Sequence, residues 1–145
     1  MPLSTTTLER PLLQLFSAPP ATTAECARAW ADALSEYAAE ISFPSTTLVA
    51  ATETLAVSLL GFGAPGAAVA VLEAGFAAFA ATLAVGMLPG FAATPPPRPV
   101  GFATFVLVNR DTYAQAASEA AALIDTWMRT GIAINVFTSA AFPWN

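Results

Sequence analysis

The sequence predicts an all-α fold: a bundle of about four helices with an extended N-terminal lead-in and an extended C-terminal arm. Three observations carry that expectation. Apolar residues recur at helical spacing over several long stretches. Capping signals precede two of them. A composition of 56% hydrophobic against 10% charged residues in a chain of 145 requires most of the chain to be buried. The organisation read from these is one helical domain, 1–131, containing a lead-in at 1–22 and a proline-rich linker at 91–101, followed by a C-terminal docking arm, 132–145.

The lead-in carries a Ser/Thr run, a short apolar patch at Leu12, Leu13, Leu15 and Phe16, and the stop Ser17-Ala18-Pro19-Pro20. The patch is long enough to dock but too short for an independent helix. Thr22-Thr23-Ala24-Glu25 matches a capping box and opens a helix over about 23–41. Cys26, Trp30, Leu34, Tyr37 and Ile41 form its dry face, and Glu25, Arg28, Asp32, Glu36 and Glu40 lie mainly on the wet one. Ser42-Phe43-Pro44 breaks it. Ser45 or Thr46 can cap a second helix running to about Leu60, with Leu48, Leu55, Leu59 and Phe62 in one stripe.

A third helix is expected from Pro65 to about Gly86, with Val69, Leu72, Phe76, Phe79 and Leu83 on its inner face. Gly75, Ala78, Thr82 and Gly86 on that helix would let a neighbour approach closely. The linker that follows holds Thr94-Pro95-Pro96-Pro97-Arg98-Pro99, which must be extended because its prolines favour polyproline II. Phe102 to Val108 reads equally as helix or strand. Asp111 or Thr112 starts the last long helix, with Thr112 and Gln115 as a second capping box and Gly131 as its stop. Ala116, Ala120, Leu123, Trp127 and Tyr113 are expected to face inward. In the final segment Ile132, Ile134 and Val136 alternate with Ala133, Asn135 and Phe137, a strand-like period of two.

The chemistry available is sparse. There is no lysine and no histidine, so the imidazole base, the commonest metal ligand, the Schiff-base amine and the phosphate-loop lysine are all absent. Ten carboxylates against five arginines give a net charge of −5, which leaves little grip on nucleic acid phosphates. Cys26 is the single cysteine and offers no internal disulfide; with no basic neighbour of the usual kind it reads as a small hydrophobe. Glu53 and Glu73 are the acidic residues set in apolar stretches, where burial would raise their pKa. Each reads more simply as pointing out from its helix or pairing with an arginine. No cofactor or metal site and no enzymatic activity are expected.

Two physical readings of the greasy composition compete. Helices two and three could form a membrane hairpin, of the kind a lysis or holin-like protein would use. Alanine returns little on insertion, however, and a central acidic residue costs roughly 2.5 to 3.5 kcal/mol. A small carboxylate-dependent enzyme is a further alternative. An assembling subunit explains the composition without a penalty: ten per cent charged residues cannot cover a monomer's surface, and permanent contacts between copies would. The candidate contact residues are Pro96 and Pro97 in the spacer and Ile132, Ile134, Val136, Phe137, Phe142 and Trp144 in the arm. The N-terminus lacks the features of a secretory signal, so cytoplasmic synthesis is expected.

The segments Trp30-Ala31-Asp32-Ala33-Leu34, Thr94-Pro95-Pro96-Pro97-Arg98-Pro99 and Ile124-Asp125-Thr126-Trp127-Met128-Arg129-Thr130-Gly131 sit in an alanine-rich helical chain of this length. In these respects the sequence resembles the small structural proteins of tailed bacteriophage virions. The resemblance implies a component of a symmetric ring or shell, similar to the head-tail connector, neck or tail subunits. It would be made in the host cytoplasm and reside in the virion. Its partners would be copies of itself and other virion structural proteins. No specific nucleic acid binding is implied, although an acidic channel wall along which DNA slides suits the net charge. The resemblance carries over no site residue.

Overall fold

Among the described residues, 3–63 and 66–145, the computed structural model contains six α-helices, one 3₁₀ turn and a three-stranded antiparallel sheet. The helices are α1 (Thr5–Ser17), α2 (Thr23–Ala38), α3 (Leu48–Ser58, continued by the 3₁₀ turn Leu59–Gly63), α4 (Ala68–Val85), the single turn α5 (Phe102–Phe105) and α6 (Tyr113–Met128). The strands are β1 (Phe91–Thr94), β2 (Ile132–Asn135) and β3 (Ala141–Pro143), in the order β1-β2-β3. The fold is therefore mainly helical with a small sheet, and the all-α expectation is corrected on that point.

The N-terminal segment is the first departure. It is a 13-residue helix, not an extended lead-in, although Pro11 lies inside it. Leu8, Leu12 and Leu15 recur at four and three and are buried against α2 and α6. That packing outweighs the helix cost of an interior proline and the weak intrinsic stability of so short a helix. The start of α1 is tied down as well. Glu40 accepts the Ser4 N–H at 3.0 Å and the Thr7 hydroxyl at 2.6 Å.

α2 follows the sequence closely. Thr22 accepts the Glu25 N–H and the Glu25 carboxylate accepts the Thr22 N–H, completing the capping box. Trp30, Leu34, Tyr37 and Ile41 are buried and Cys26 is half-buried. The helix ends at Ala38, short of the expected Ile41. α3 begins without a side-chain cap: the Ser45 hydroxyl instead donates to Leu83 C=O at 2.9 Å and the Thr47 hydroxyl to Thr82 C=O. The two hydroxyls thus clamp the start of α3 to the end of α4. The small residues of α4 permit this approach. A side chain at Gly75 would meet Leu55 and Leu59 at about 3.0 Å, and one at Gly86 would collide with Ser45 and Thr47. The expected start of this helix at Pro65 lies outside the described residues.

α6 keeps Ala120 and Trp127 on its inner face as expected but is turned partly away from the rest of the expected stripe. Thr112 does accept the Gln115 N–H at 3.1 Å. The inward residues, however, are Ala117, Ala120, Ala121, Ile124, Trp127 and Met128. Ala116 and Leu123 are half-buried and Tyr113 is exposed. The face with more alanines turns inward because it lets α1 lie close alongside.

The remaining corrections concern the supposed linker and arm. Residues 91–94 are a strand, and 132–145 fold back as two more. The register pairs Phe91 with Asn135, Ala92 with Ile134, Ala93 with Ala133 and Thr94 with Ile132; β3 pairs Ala133 with Phe142. Trp144 is completely buried and stacks on Gly131, where a side chain would strike the indole at 2.6 Å. Asn145 C=O accepts the Ser42 N–H at 2.6 Å. The C-terminal segment is therefore not extended away from the helices: it pairs into the sheet and closes over the end of α2 in its own chain. Leu12→Ala is expected to lower unfolding free energy by about 2–5 kcal/mol, read by chemical denaturation, because Leu12 is fully buried. A change under about 0.5 kcal/mol would show that α1 is merely draped on the surface.

Candidate functional site

Hydrogen-bond phase decides what the sheet presents. Gly90 C=O accepts the Val136 N–H at 3.2 Å, so the bonded pairs across β1 and β2 are Gly90–Val136, Ala92–Ile134 and Thr94–Ile132. On the other side of β2, Ala140 C=O accepts the Asn135 N–H and Gly131 C=O accepts the Trp144 N–H, both at 2.9 Å. One face then carries Phe91, Ala93, Ala133, Asn135 and Phe142 towards the helices, with the Phe43 ring 4.7 Å from Phe91 and 6.0 Å from Phe142. The opposite face carries Ala92, Thr94, Ile132, Ile134, Ala141 and Pro143, all exposed. Thr94 is the one polar side chain among them.

The hairpin continues this outer surface. The Asn135 carboxamide accepts the N–H groups of Phe137 at 2.9 Å and Thr138 at 3.0 Å, an Asx-type clasp that fixes the turn. Ser139 takes the left-handed conformation, φ 59°, that the reversal requires. The clasp presents Val136, 44% exposed, and Phe137, 85% exposed, as a fixed apolar tip. Of the contact residues expected from sequence, Ile132, Ile134 and Val136 are thus brought together on one surface, and Phe137 stands exposed in the turn next to Val136. Phe142 lies on the inner face yet stays 42% exposed. Trp144 does not belong: it is buried in its own chain. Pro96 is half-buried and Pro97 exposed; Pro97 borders a separate shallow cleft of about 270 Å³ with Pro99, Leu123 and Trp127.

Sequence reasoning missed two apolar surfaces. Val106, Leu107 and Val108 form an exposed knob after α5, with Leu107 81% exposed. Arg110 holds it rigid by donating to Phe105 C=O and Val108 C=O, both at 2.7 Å, by pairing with Glu119, and by lying 3.7 Å over the Phe105 ring. That ion pair holds the Glu119 carboxyl below its usual range. The second surface is the outer side of α4, the most apolar helix, which is only about one-third buried. A run of consecutive aliphatics was the available signal for the knob. For α4 the inner stripe was legible, while its alanine-rich outer side gave no contrast.

The carboxylates set in apolar stretches do not form a reactive pair. Glu53 is exposed and pairs with Arg28 of α2 at 2.8 and 3.0 Å, which lowers its pKa. This is the simpler of the two expected readings, an outward carboxylate paired with an arginine, and the alternative of a pKa raised by apolar surroundings is not what the structure has. Glu73 accepts the Ala103 N–H at 3.4 Å at the start of α5. Among the described residues no group of three or more Cys, Asp or Glu side chains is placed to hold a metal ion. Burial raises the Cys26 thiol pKa, which leaves it less reactive than a free thiol.

The strongest buried polar cluster is structural. Tyr37 donates to Asp125 at 2.6 Å, Arg129 donates to Asp125 at 2.8 Å, and Arg129 also reaches Leu3 C=O at 2.6 Å. It joins α2, α6 and the residue ahead of α1. Burial, and then the Asp125 hydrogen bond, push the Tyr37 pKa far above its usual 10.0, while the same carboxylate raises that of Arg129. No protein family, curated protein or solved structure matches the chain.

The Tyr37 shift has a definite sign. The folded state favours the protonated phenol, so its contribution is fully present below about pH 10 and is lost as pH rises above it. Denaturation curves across pH 8–11 are expected to show stability falling at the alkaline end. Tyr37→Phe should cost about 1.5–3 kcal/mol at neutral pH and flatten that fall. An equally steep fall in the variant would assign it to other groups.

Proposed function

We propose that this chain is a non-enzymatic structural subunit of a tailed-phage virion, in the head-tail connector, neck or tail. It assembles with copies of itself into a ring or shell and meets other virion structural proteins there. One observation carries the reading: the outer sheet face and hairpin tip. Ile132, Ile134, Val136 and Phe137 stand exposed together, and no charged residue occurs between Glu73 and Arg98 or after Arg129. Contiguous apolar surface of this kind marks an interaction site, and permanent interfaces resemble a core cut in half. The chain exposes 7543 Å², about 500 Å² more than a compact monomer of its mass would. The phage assignment within this reading rests on the sequence resemblance.

The exposed side of α4 favours a membrane as the second reading, because the helix is long and apolar enough to cross one by length and composition. Against it, α3 has 11 residues, too short to return across a bilayer, and Glu53 and Arg28 form a surface ion pair beside it. Negative-stain microscopy of the purified chain is expected to show closed rings or regular oligomers. Ile132→Lys combined with Ile134→Lys should abolish them while leaving the circular dichroism spectrum unchanged, since both side chains face outward. Quantitative recovery in the detergent phase on phase partitioning would overturn the virion reading in favour of the membrane.

A further inference from the structure

β1 closes the sheet on one side, and the hydrogen-bond phase fixes what its free edge offers. Ala92 and Thr94 direct their amides at β2, so those of Phe91 and Ala93 point away from it. The Phe91 N–H is engaged by Met87 C=O at 3.1 Å. Among the described residues, the Ala93 N–H, the Ala93 C=O and the Phe91 C=O have no partner. No helix or strand besides β2 and α4 packs extensively on β1.

Natural sheets block such edges with charge, proline or a bulge. β3 obeys: its outward-directed Pro143 has no N–H to offer. β1 is guarded by its shortness and by Pro95, the next edge-directed position, but Phe91-Ala92-Ala93-Thr94 itself holds neither charge nor proline. We infer that the β1 edge pairs with the β1 edge of a second copy, antiparallel across a two-fold axis, joining two three-stranded sheets into one of six strands. This rests on the self-assembly reading above and gives it a contact geometry.

Three features select a second copy as the occupant. Two-fold antiparallel pairing lets each Ala93 N–H donate to a β1 carbonyl of the other copy, Ala93 or Phe91, so two identical edges satisfy each other's one free donor. Although each chain has net charge −5, the approach along β1 brings no charged side chain from either strand to the junction, so like charges do not meet there. Pairing also extends the outer apolar face. With strands about 4.8 Å apart, the sheet widens from roughly 14 Å to roughly 29 Å, and Ala92, Ile132 and Ile134 become part of one continuous surface.

The test is amide hydrogen exchange on the full chain at high and low protein concentration, with site resolution at Ala93. Its exchange is expected to slow by about tenfold or more on association, although no acceptor within the chain explains such protection. Ala93→Pro removes that N–H without touching a β2 bond, so the variant should keep its fold and need about tenfold more protein to associate. Thr94→Lys, which places a charge on the exposed side of the same strand, is the second variant should the proline perturb folding. Normal association of both variants, with Ala93 unprotected in the assembled wild type, would overturn edge pairing and leave self-assembly by another surface standing. A chain that stays monomeric at every concentration would overturn both. Protection of Ala93 that depends on added lipid vesicles and not on protein concentration would overturn the choice of a second copy.

Discussion

Everything in this fold leans on one aromatic node. Trp30 of α2, Phe76 of α4, Phe102 of α5 and Trp127 of α6 meet with ring centroids 5.5 to 6.2 Å apart, three of the contacts edge-on. The helices around it are built largely from alanine, which contributes little buried area, so these rings carry the packing that joins separate parts of the chain. The node also sets the backbone beyond the helices. The Trp127 indole N–H donates to Arg98 C=O at 2.5 Å, which seats the proline segment, and that segment leads back to β1. At the other end Gly131 admits Trp144, which anchors β3. The sheet is held at both margins by tryptophans that belong to, or lie against, the end of α6.

The scarcity of charge then decides how the surface is divided. Ion pairs and side-chain caps lie on α2 and α6 and reach the middle of α3, where Arg28 meets Glu53, while Arg129 meets Asp125 at the end of α6. The outer side of α4, the sheet face and the hairpin tip have none. A chain with so few charged residues cannot spread them evenly, and here they concentrate on one part of the fold. The bare part is what a partner copy would cover. Polar side chains there are occupied locally: Asn135 clasps its own turn, and Ser45 and Thr47 bind α4 carbonyls.

The long helices were legible because their signals are local. Thr22 with Glu25 and Thr112 with Gln115 announce helix starts, and the spacing of Trp30, Leu34 and Tyr37 gives the buried face directly. α1 was not, because its apolar patch is too short to sustain a helix alone and the packing that sustains it comes from α2 and α6. The face of α6 was partly misjudged for a related reason: with alanine on both sides, periodicity cannot tell which side α1 will choose. The sheet was half legible. The alternation of Ile132, Ile134 and Val136 marks a strand, but its partner Phe91-Ala92-Ala93-Thr94 lies some forty residues away in a stretch that reads as a linker into prolines. Non-local pairing leaves no periodic trace. Of the expected contact residues, those on the outer face of β2 and the hairpin stand exposed. Trp144 does not, because a large aromatic near a chain end reads the same whether it docks on a neighbour or on its own Gly131.

The central claim is that the uncharged part of this fold is a surface completed by other copies of the chain. Sedimentation equilibrium in detergent-free buffer addresses it directly. The expected result is a molar mass of two or more times 14.9 kDa, at a whole-number multiple, that holds or grows with concentration. A single species of 14.9 kDa at every concentration, remaining in solution, would contradict it.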